Sequence, residues 1–492
     1  MRKFMLLALL GGVSQAQSPA LDFTDLEGWW SADPTFAGES SHVSLHFENV
    51  DGKPSAKLSL PAIAVYDVSL GVVTIAGDKV DMQPLSFPLT YDPEKKTLRG
   101  VLPPDAVPVY PIAVEFRRGE PLRKPAPPRW DAPRPTRIWS VEVDSPVWAA
   151  LARDPVRRLL FVGTDAGVLH AIDENGKVRW KYTTGGAIRG EPAVIQDHVY
   201  VSSDAGFTAR LEARSGRELW RVKTDAITAP RLPPTDGKTR WDRYSAGIVA
   251  DASRLYVASR DKNLYALDPG TGAIQWTYTA SDIMTATPAL YRDLVLIADY
   301  AGKVQAVSAA DGKLRWTYDA RLAVPGDLVV DGDQVLVGSR SYDLIALDAA
   351  TGRERWKHYY WFSWIESPPV VREGVVYTGS SDATNIYALD ERSGKLRWKT
   401  AVPGWAWPRP AVNDRFVVAG VSGSGAYPGF RAGALVALDR RSGAIRWIHL
   451  EPPSQATVDA REYWGYVAAP LIAGNIVYAA DLTGRVSAFK LE

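Results

Sequence analysis

An eleven-residue phrase, Ala-Leu-Asp-x-x-(Thr/Ser)-Gly-x-x-x-Trp, recurs along the last three-quarters of the chain and limits what it can fold into. Clean copies occupy residues 266–276, 346–356, 388–398 and 437–447. Degenerate copies end at Trp180, Trp220 and Trp316, and Trp139 stands alone ahead of them. From Trp139 through Trp180, Trp220, Trp276, Trp316, Trp356 and Trp398 to Trp447, the intervals are 41, 40, 56, 40, 40, 42 and 49 residues. A period near 40 built from short strands marks a propeller or an array of repeats.

Each repeat has one grammar. In residues 192–220, four short apolar runs are separated by turn signals at Asp197-His198, Asp204-Ala205-Gly206 and Ser215-Gly216, and the last run carries the tryptophan. Four antiparallel strands per 40 residues make one propeller blade. First strands begin near Pro146, Pro192, Ala246, Pro288, Pro325, Pro368, Pro410 and Pro470, which predicts eight blades over residues 136–491. The last copy lacks a following tryptophan strand, and Trp139 lacks preceding strands. The two fragments complete each other, so the Trp139 strand is expected to close the ring as the outer strand of the last blade. That closure removes an exposed sheet edge. Two inserts, at 232–244 and 422–431, lengthen the period, and extra loop on a rigid ring is where function tends to sit.

The repeated tryptophan is read as a packing residue between blades, with the glycine as its turn and the alanine permitting close approach of sheets. The Asp of each Ala-Leu-Asp is read as turn chemistry. The phrase resembles the tryptophan-docking motif of the pyrroloquinoline-quinone (PQQ) repeat family over residues 136–491. That family comprises eight-bladed rings and includes quinoprotein dehydrogenases and the non-catalytic propeller lipoprotein of the outer-membrane barrel-assembly machinery. The resemblance implies the fold and leaves the activity open. It implies that a dehydrogenase would hold PQQ and calcium at the ring centre, commonly against a disulfide of adjacent cysteines. The chain has no cysteine. That removes the disulfide, a c-type haem and a lipid anchor on cysteine, so PQQ and Ca2+ are disfavoured.

Residues 21–118 lack the repeat. Alternating runs at 43–47 and 56–60, with turns at Asp51-Gly52, Gly77-Asp78 and Asp92-Pro93, predict a small antiparallel β-barrel or sandwich. Six prolines between 119 and 135 mark a linker. Arg2 and Lys3, an apolar run at 4–13 and Ser14-Gln15-Ala16 read as an export signal over residues 1–16, cleaved after Ala16. The expected class is thus an all-β, exported protein of the periplasm or cell exterior, with no transmembrane segment.

Formal net charge is +1, from 57 basic and 56 acidic residues, which gives no electrostatic case for nucleic acid. No Gly-x-Ser-x-Gly elbow, His-Glu-x-x-His or Walker loop occurs. His42 and His46 stand four apart and weakly suggest a metal site. The strongest candidates lie in loops leading from outer to inner strands. Trp361, Trp364 and Glu366 occupy one, Trp405, Trp407 and Arg409 the next, and Trp464 a third. Trp241 adds a fourth aromatic loop. None of these belongs to the repeat phrase. Clustered Trp and Tyr beside charge suits binding of an envelope protein, a glycan or a quinone. It suits plugging a wide central channel equally well. Glu366 and Asp327 are the carboxylates to test for calcium, which takes oxygen ligands. The reading is a non-catalytic binding or scaffold ring, with a PQQ- and calcium-dependent oxidoreductase as the alternative.

Overall fold

The computed structural model describes residues 21–102, 110–126, 128–224, 231, 242–424, 432–453, 457–458 and 461–492. The leader read at 1–16, Trp241 with most of the first insert, and residues 425–431 of the second lie outside them. The chain divides into two compact units, split near residue 125, with residues 62–64 grouped with the second.

The first unit is a closed antiparallel barrel, the barrel form of the two alternatives. Its eight strands are Gly28–Ala32, Val43–Val50, Lys53–Leu60, Val65–Ala76, Lys79–Pro84, Leu89–Asp92, Thr97–Leu102 and Ile112–Arg118. Each pairs with its sequence neighbour, and the first strand pairs with both the second and the last. Alternation sends Leu45, Phe47, Val80, Met82, Leu98, Val114 and Phe116 inward, all buried. Trp30 is buried and donates its indole N–H to the Leu26 carbonyl at 2.7 Å. His42 and His46 do not share a site. His42 bonds Asp33 at 2.9 Å, while His46 stacks on Trp29 with ring centroids 4.2 Å apart.

The second unit holds eight four-stranded blades, the seventh enlarged. Their inner strands are Ala152–Asp154, Ala193–Ile195, Ile248–Ala250, Ala289–Tyr291, Val329–Asp331, Val370–Arg372, Ala411–Val412 and Leu471–Ala473. Second strands such as Leu294–Ala298 are buried throughout because adjacent blades cover both faces. Outer strands such as Leu314–Asp319 alternate exposed and half-buried residues. The eighth blade is assembled from both ends of the ring. Arg137–Glu142 pairs with Arg485–Lys490, placing Trp139 opposite Ala488. In the seventh blade the strand Phe416–Ser424 runs on past its partner and pairs with Arg461–Gly465. Residues 128–135 accompany the ring: Trp130 and Ala132 pack against the sixth and seventh blades, and the Pro133 carbonyl accepts the Ile448 N–H at 2.9 Å.

One joint repeats at all eight blade interfaces. Trp139, Trp180, Trp220, Trp276, Trp316, Trp356, Trp398 and Trp447 each donate the indole N–H to a backbone carbonyl of the following blade, at 2.7 to 3.2 Å. At seven of the eight, all but Trp447, the motif glycine of the following blade lies on the indole face. At Gly352 a Cβ would fall 2.5 Å from the Trp316 ring, and φ is +72°. The glycine therefore serves both the turn and the neighbour's tryptophan. The motif alanine sits directly across the strand pair from its own tryptophan, as Ala346 does from Trp356, and is fully buried. The motif aspartate ties the turn. Asp348 accepts from the Thr351 N–H and hydroxyl at 3.0 and 2.8 Å and from Arg355 at 2.7 Å. Asp390 and Asp439 repeat this with Ser393 and Arg397, and with Ser442 and Arg446.

Trp316→Phe keeps the bulk and loses the hydrogen bond, and should lower ring stability by about 1 kcal/mol. Trp316→Ala should cost roughly 3 kcal/mol. Gly352→Ala should cost less beside Trp316→Ala than alone, because only the φ strain remains. Denaturant unfolding of the four proteins checks this. Hydrogen bonds from Arg355 and Arg397 hold Asp348 and Asp390 down to about 2, against 3.8 ordinarily. The stability they contribute is full above pH ~4 and is lost as pH falls toward ~2. The gap in melting temperature between wild type and Asp348→Asn should therefore close across that interval.

Candidate functional site

The loops from outer to inner strands, together with the turns between second and third strands, surround one mouth of the ring. Among the described residues, one position of that turn recurs in seven blades, and its residue reaches the mouth. Asp165 of the first blade takes Arg189 at 2.7 and 2.8 Å. Asp204 of the second takes Arg231 at 2.9 and 2.7 Å. Arg260 of the third donates to Asp242 at 2.5 Å. Arg340 of the fifth donates to Glu366 at 2.7 and 2.6 Å. Ser381 of the sixth accepts the Trp407 indole N–H at 3.2 Å. Tyr300 and Leu482 hold the position in the fourth and eighth blades, both buried. These residues form a belt of ion pairs and hydrogen bonds around the mouth, half-buried where Asp165 meets Arg189 and Asp204 meets Arg231, and buried where Arg260 meets Asp242 and Arg340 meets Glu366. Burial lowers Arg243 to about 10 and raises the Tyr300 hydroxyl to about 12.

The candidate tryptophans lie inside this belt. Trp405 and Trp407 stack on each other, 4.8 Å apart and 9° from parallel. With Trp148, Tyr463, Val467 and Leu482 they form one buried cluster. Trp405 also donates to Asp382 at 3.1 Å. Trp361 is buried against Tyr359 and Phe362, and Trp464 is 2 % exposed. Trp364 alone of the five is half-buried, with the Arg340 guanidinium 4.7 Å from its ring centre. The aromatic loops thus fold inward and fill the mouth. A sugar platform would need its indoles facing water.

Asp327, Glu366, Trp407 and Arg409 line one chamber at the ring centre, while Trp361, Trp364, Trp405 and Trp464 stay outside its wall. Residues from all eight blades bound the chamber. Its volume is about 60 Å³, against roughly 300–1,000 Å³ for most ligand pockets. Arg409 pairs with Glu191 at 2.7 Å and approaches Asp327 to 4.0 Å. Attraction to Glu191 raises the Arg409 pKa. The residues do not fit a calcium-quinone centre. Glu366 is held by Arg340, and Asp327 accepts the Thr287 N–H at 2.8 Å beside Arg409. Calcium would have to displace guanidinium groups to collect six or more oxygens. Among the described residues, no three His, Asp or Glu side chains are grouped to hold a metal ion.

The charged belt was missed from sequence. Its signal was present in the turn pairs Thr164-Asp165, Ser203-Asp204, Ser259-Arg260 and Ser339-Arg340, where one repeat position switches charge sign. Trp148, the aromatic contribution of the first blade, was missed as well. It precedes the first inner strand and belongs to no aromatic run.

Eight blades joined by indole-to-carbonyl bonds define a propeller of the PQQ-repeat type. A family model described as "Outer membrane protein assembly factor BamB" matches residues 129–233, 227–360 and 361–492, and the chain belongs to that family. Among curated relatives, the assembly factor BamB of Nitrosomonas eutropha is 22% identical over 277 residues, 56% of this chain and 52% of that protein. That of Moranella endobia is 27% identical over 138 residues, 27% of this chain and 34% of its own length. The chain therefore spans about half or less of these relatives. Two solved structures share the fold. BamB from Moraxella catarrhalis superposes with a TM-score of 0.56 at 17% identity, covering 72% of this chain and 99% of its own. Quinohemoprotein alcohol dehydrogenase from Comamonas testosteroni does so at 0.55 and 12%, covering 72% and 76%. The fold alone does not separate an assembly factor from a dehydrogenase. Among the described residues no helix is long and apolar enough to cross a membrane.

Glu366→Gln should destabilise the ring by roughly 3–5 kcal/mol, because Arg340 is left buried without its counter-charge. Arg340→Met combined with Glu366→Leu should recover most of that loss. Chemical denaturation of the three proteins checks both.

Proposed function

We propose that this protein is an exported, non-catalytic binding ring of the cell envelope that docks a protein partner on the face carrying the aromatic loops. The observation that carries the reading is the Arg340–Glu366 pair. It occupies the best-placed carboxylate of the channel with a guanidinium. The family membership supports the same reading, since the relatives are named as assembly factors of outer membrane proteins. The leader-like residues 1–16 support export. The buried Trp405–Trp407 stack and Trp361 stiffen the docking face, and Trp464 fills it from the seventh blade. Half-buried Trp364, backed by Arg340, is the anchor a partner would cover. Aromatic anchors on a rigid base are the usual hot spots of protein interfaces.

A photo-crosslinking residue at position 364, introduced in the producing cell, should capture a defined envelope protein. The same probe at Val156, 83 % exposed on a turn of the opposite face, should not. Equal capture from both positions, or none from 364, would sink the docking assignment. Calorimetric titration of PQQ with calcium should give no binding heat. Micromolar binding lost in Glu366→Ala would move the assignment to an oxidoreductase.

A further inference from the structure

The central chamber carries chemistry that the belt around it does not use up. Arg409 is one-third exposed and has one hydrogen bond from its guanidinium, to Glu191. Asp327 uses one carboxylate oxygen for the Thr287 N–H, and the other lies 4.0 Å from Arg409, beyond hydrogen-bond reach. Trp148, 1 % exposed, lines the same chamber, and its indole N–H has no acceptor among the described residues. A buried donor without an acceptor is costly. It marks a place where something with an acceptor belongs.

Both signs of charge face this space. Glu191, Asp327 and Glu366 oppose a simple anion, and Arg189 and Arg409 oppose a simple cation. A small molecule carrying both signs meets the groups that keep spare capacity there. Its carboxylate would take the spare Arg409 donors and the Trp148 N–H, and its ammonium would meet the free oxygen of Asp327. The 60 Å³ volume suits a few heavy atoms. Glu191, Thr287 and Arg409 also line a second cavity of about 510 Å³, walled by Ile195, Val249 and Leu471 from inner strands. Arg409 thus borders both spaces.

We propose that the chamber at the ring centre is a binding site for a small zwitterion of free amino-acid size, held by Arg409, Trp148 and Asp327. This goes beyond the docking role and does not depend on it. The test uses the full mature chain labelled at tryptophan indole nitrogen, with Trp148→Phe identifying the Trp148 resonance. Millimolar glycine or L-alanine should shift that resonance and raise the melting temperature of the ring. Acetate and methylammonium should do neither, and Arg409→Gln should abolish both effects. Arg409 is partly exposed, so this variant should fold even if Trp148→Phe does not. The proposal is overturned if the zwitterions leave protein and resonance unchanged, which would mean water alone fills the chamber. It is equally overturned if acetate matches glycine, or if Arg409→Gln responds like the wild type.

Discussion

Everything in the ring depends on an indole N–H reaching a carbonyl of the next blade. A four-stranded sheet of this size has two apolar faces and too little core to stand alone. Each must therefore be clamped to two neighbours. Tryptophan suits this joint because it combines a large flat surface with a donor at its far edge. Phenylalanine would pack without directing the contact. The glycine on the indole face lets the next turn settle directly on the ring. The joint thus spans two repeats, with the tryptophan from one and the glycine and carbonyl from the next. The closing joint, from Trp447 to the Leu491 carbonyl, uses the chain end and needs no motif glycine.

Departures from the repeat make the site. The turn between second and third strands is constrained by its hydrogen bonds, so its backbone is reproduced blade after blade. The side chain it points at the mouth is free to differ. Aspartate in two blades, arginine in two, and tyrosine, serine or leucine in others turn a symmetric ring into an asymmetric mouth. The charges are matched by loop residues within the same sector, which lets arginines and carboxylates coexist out of water. Such pairs contribute little net stability. Their effect is to fix which groups stand where, and they leave Arg409, Trp148 and Asp327 as the groups with spare capacity.

Much of the fold was legible in the chain. The 40-residue period, the turn dipeptides and the orphan Trp139 define an eight-bladed ring closed by its own N-terminal strand, because these are local signals repeated many times. The turn role of Asp348 and its equivalents was legible for the same reason, their partners lying three and seven residues away. The glycine was read as a turn residue only. Its contact with the preceding blade's tryptophan spans some 36 residues, from Trp316 to Gly352, and local pattern does not carry it.

The candidate residues were legible in the sequence, and their arrangement was not. Loop composition singled out Trp361, Trp364, Glu366, Trp405, Trp407, Arg409 and Trp464, with Asp327 at an inner-strand start, and these do gather around the mouth and the channel. Whether the indoles face water or each other depends on how eight loops share one axis. Arg409 meets Glu191 across 218 residues of chain, and Tyr244 reaches the Val467 carbonyl across 223. Sequence by itself determined the repeat, the closure and the turns, since each follows from hydrogen bonding and side-chain alternation within about 40 residues. Only the tertiary structure decided that the aromatics fill the mouth and that arginine occupies the carboxylate a metal would need. Those outcomes come from distant loops competing for one enclosed space, where burial forces every charge to find its partner.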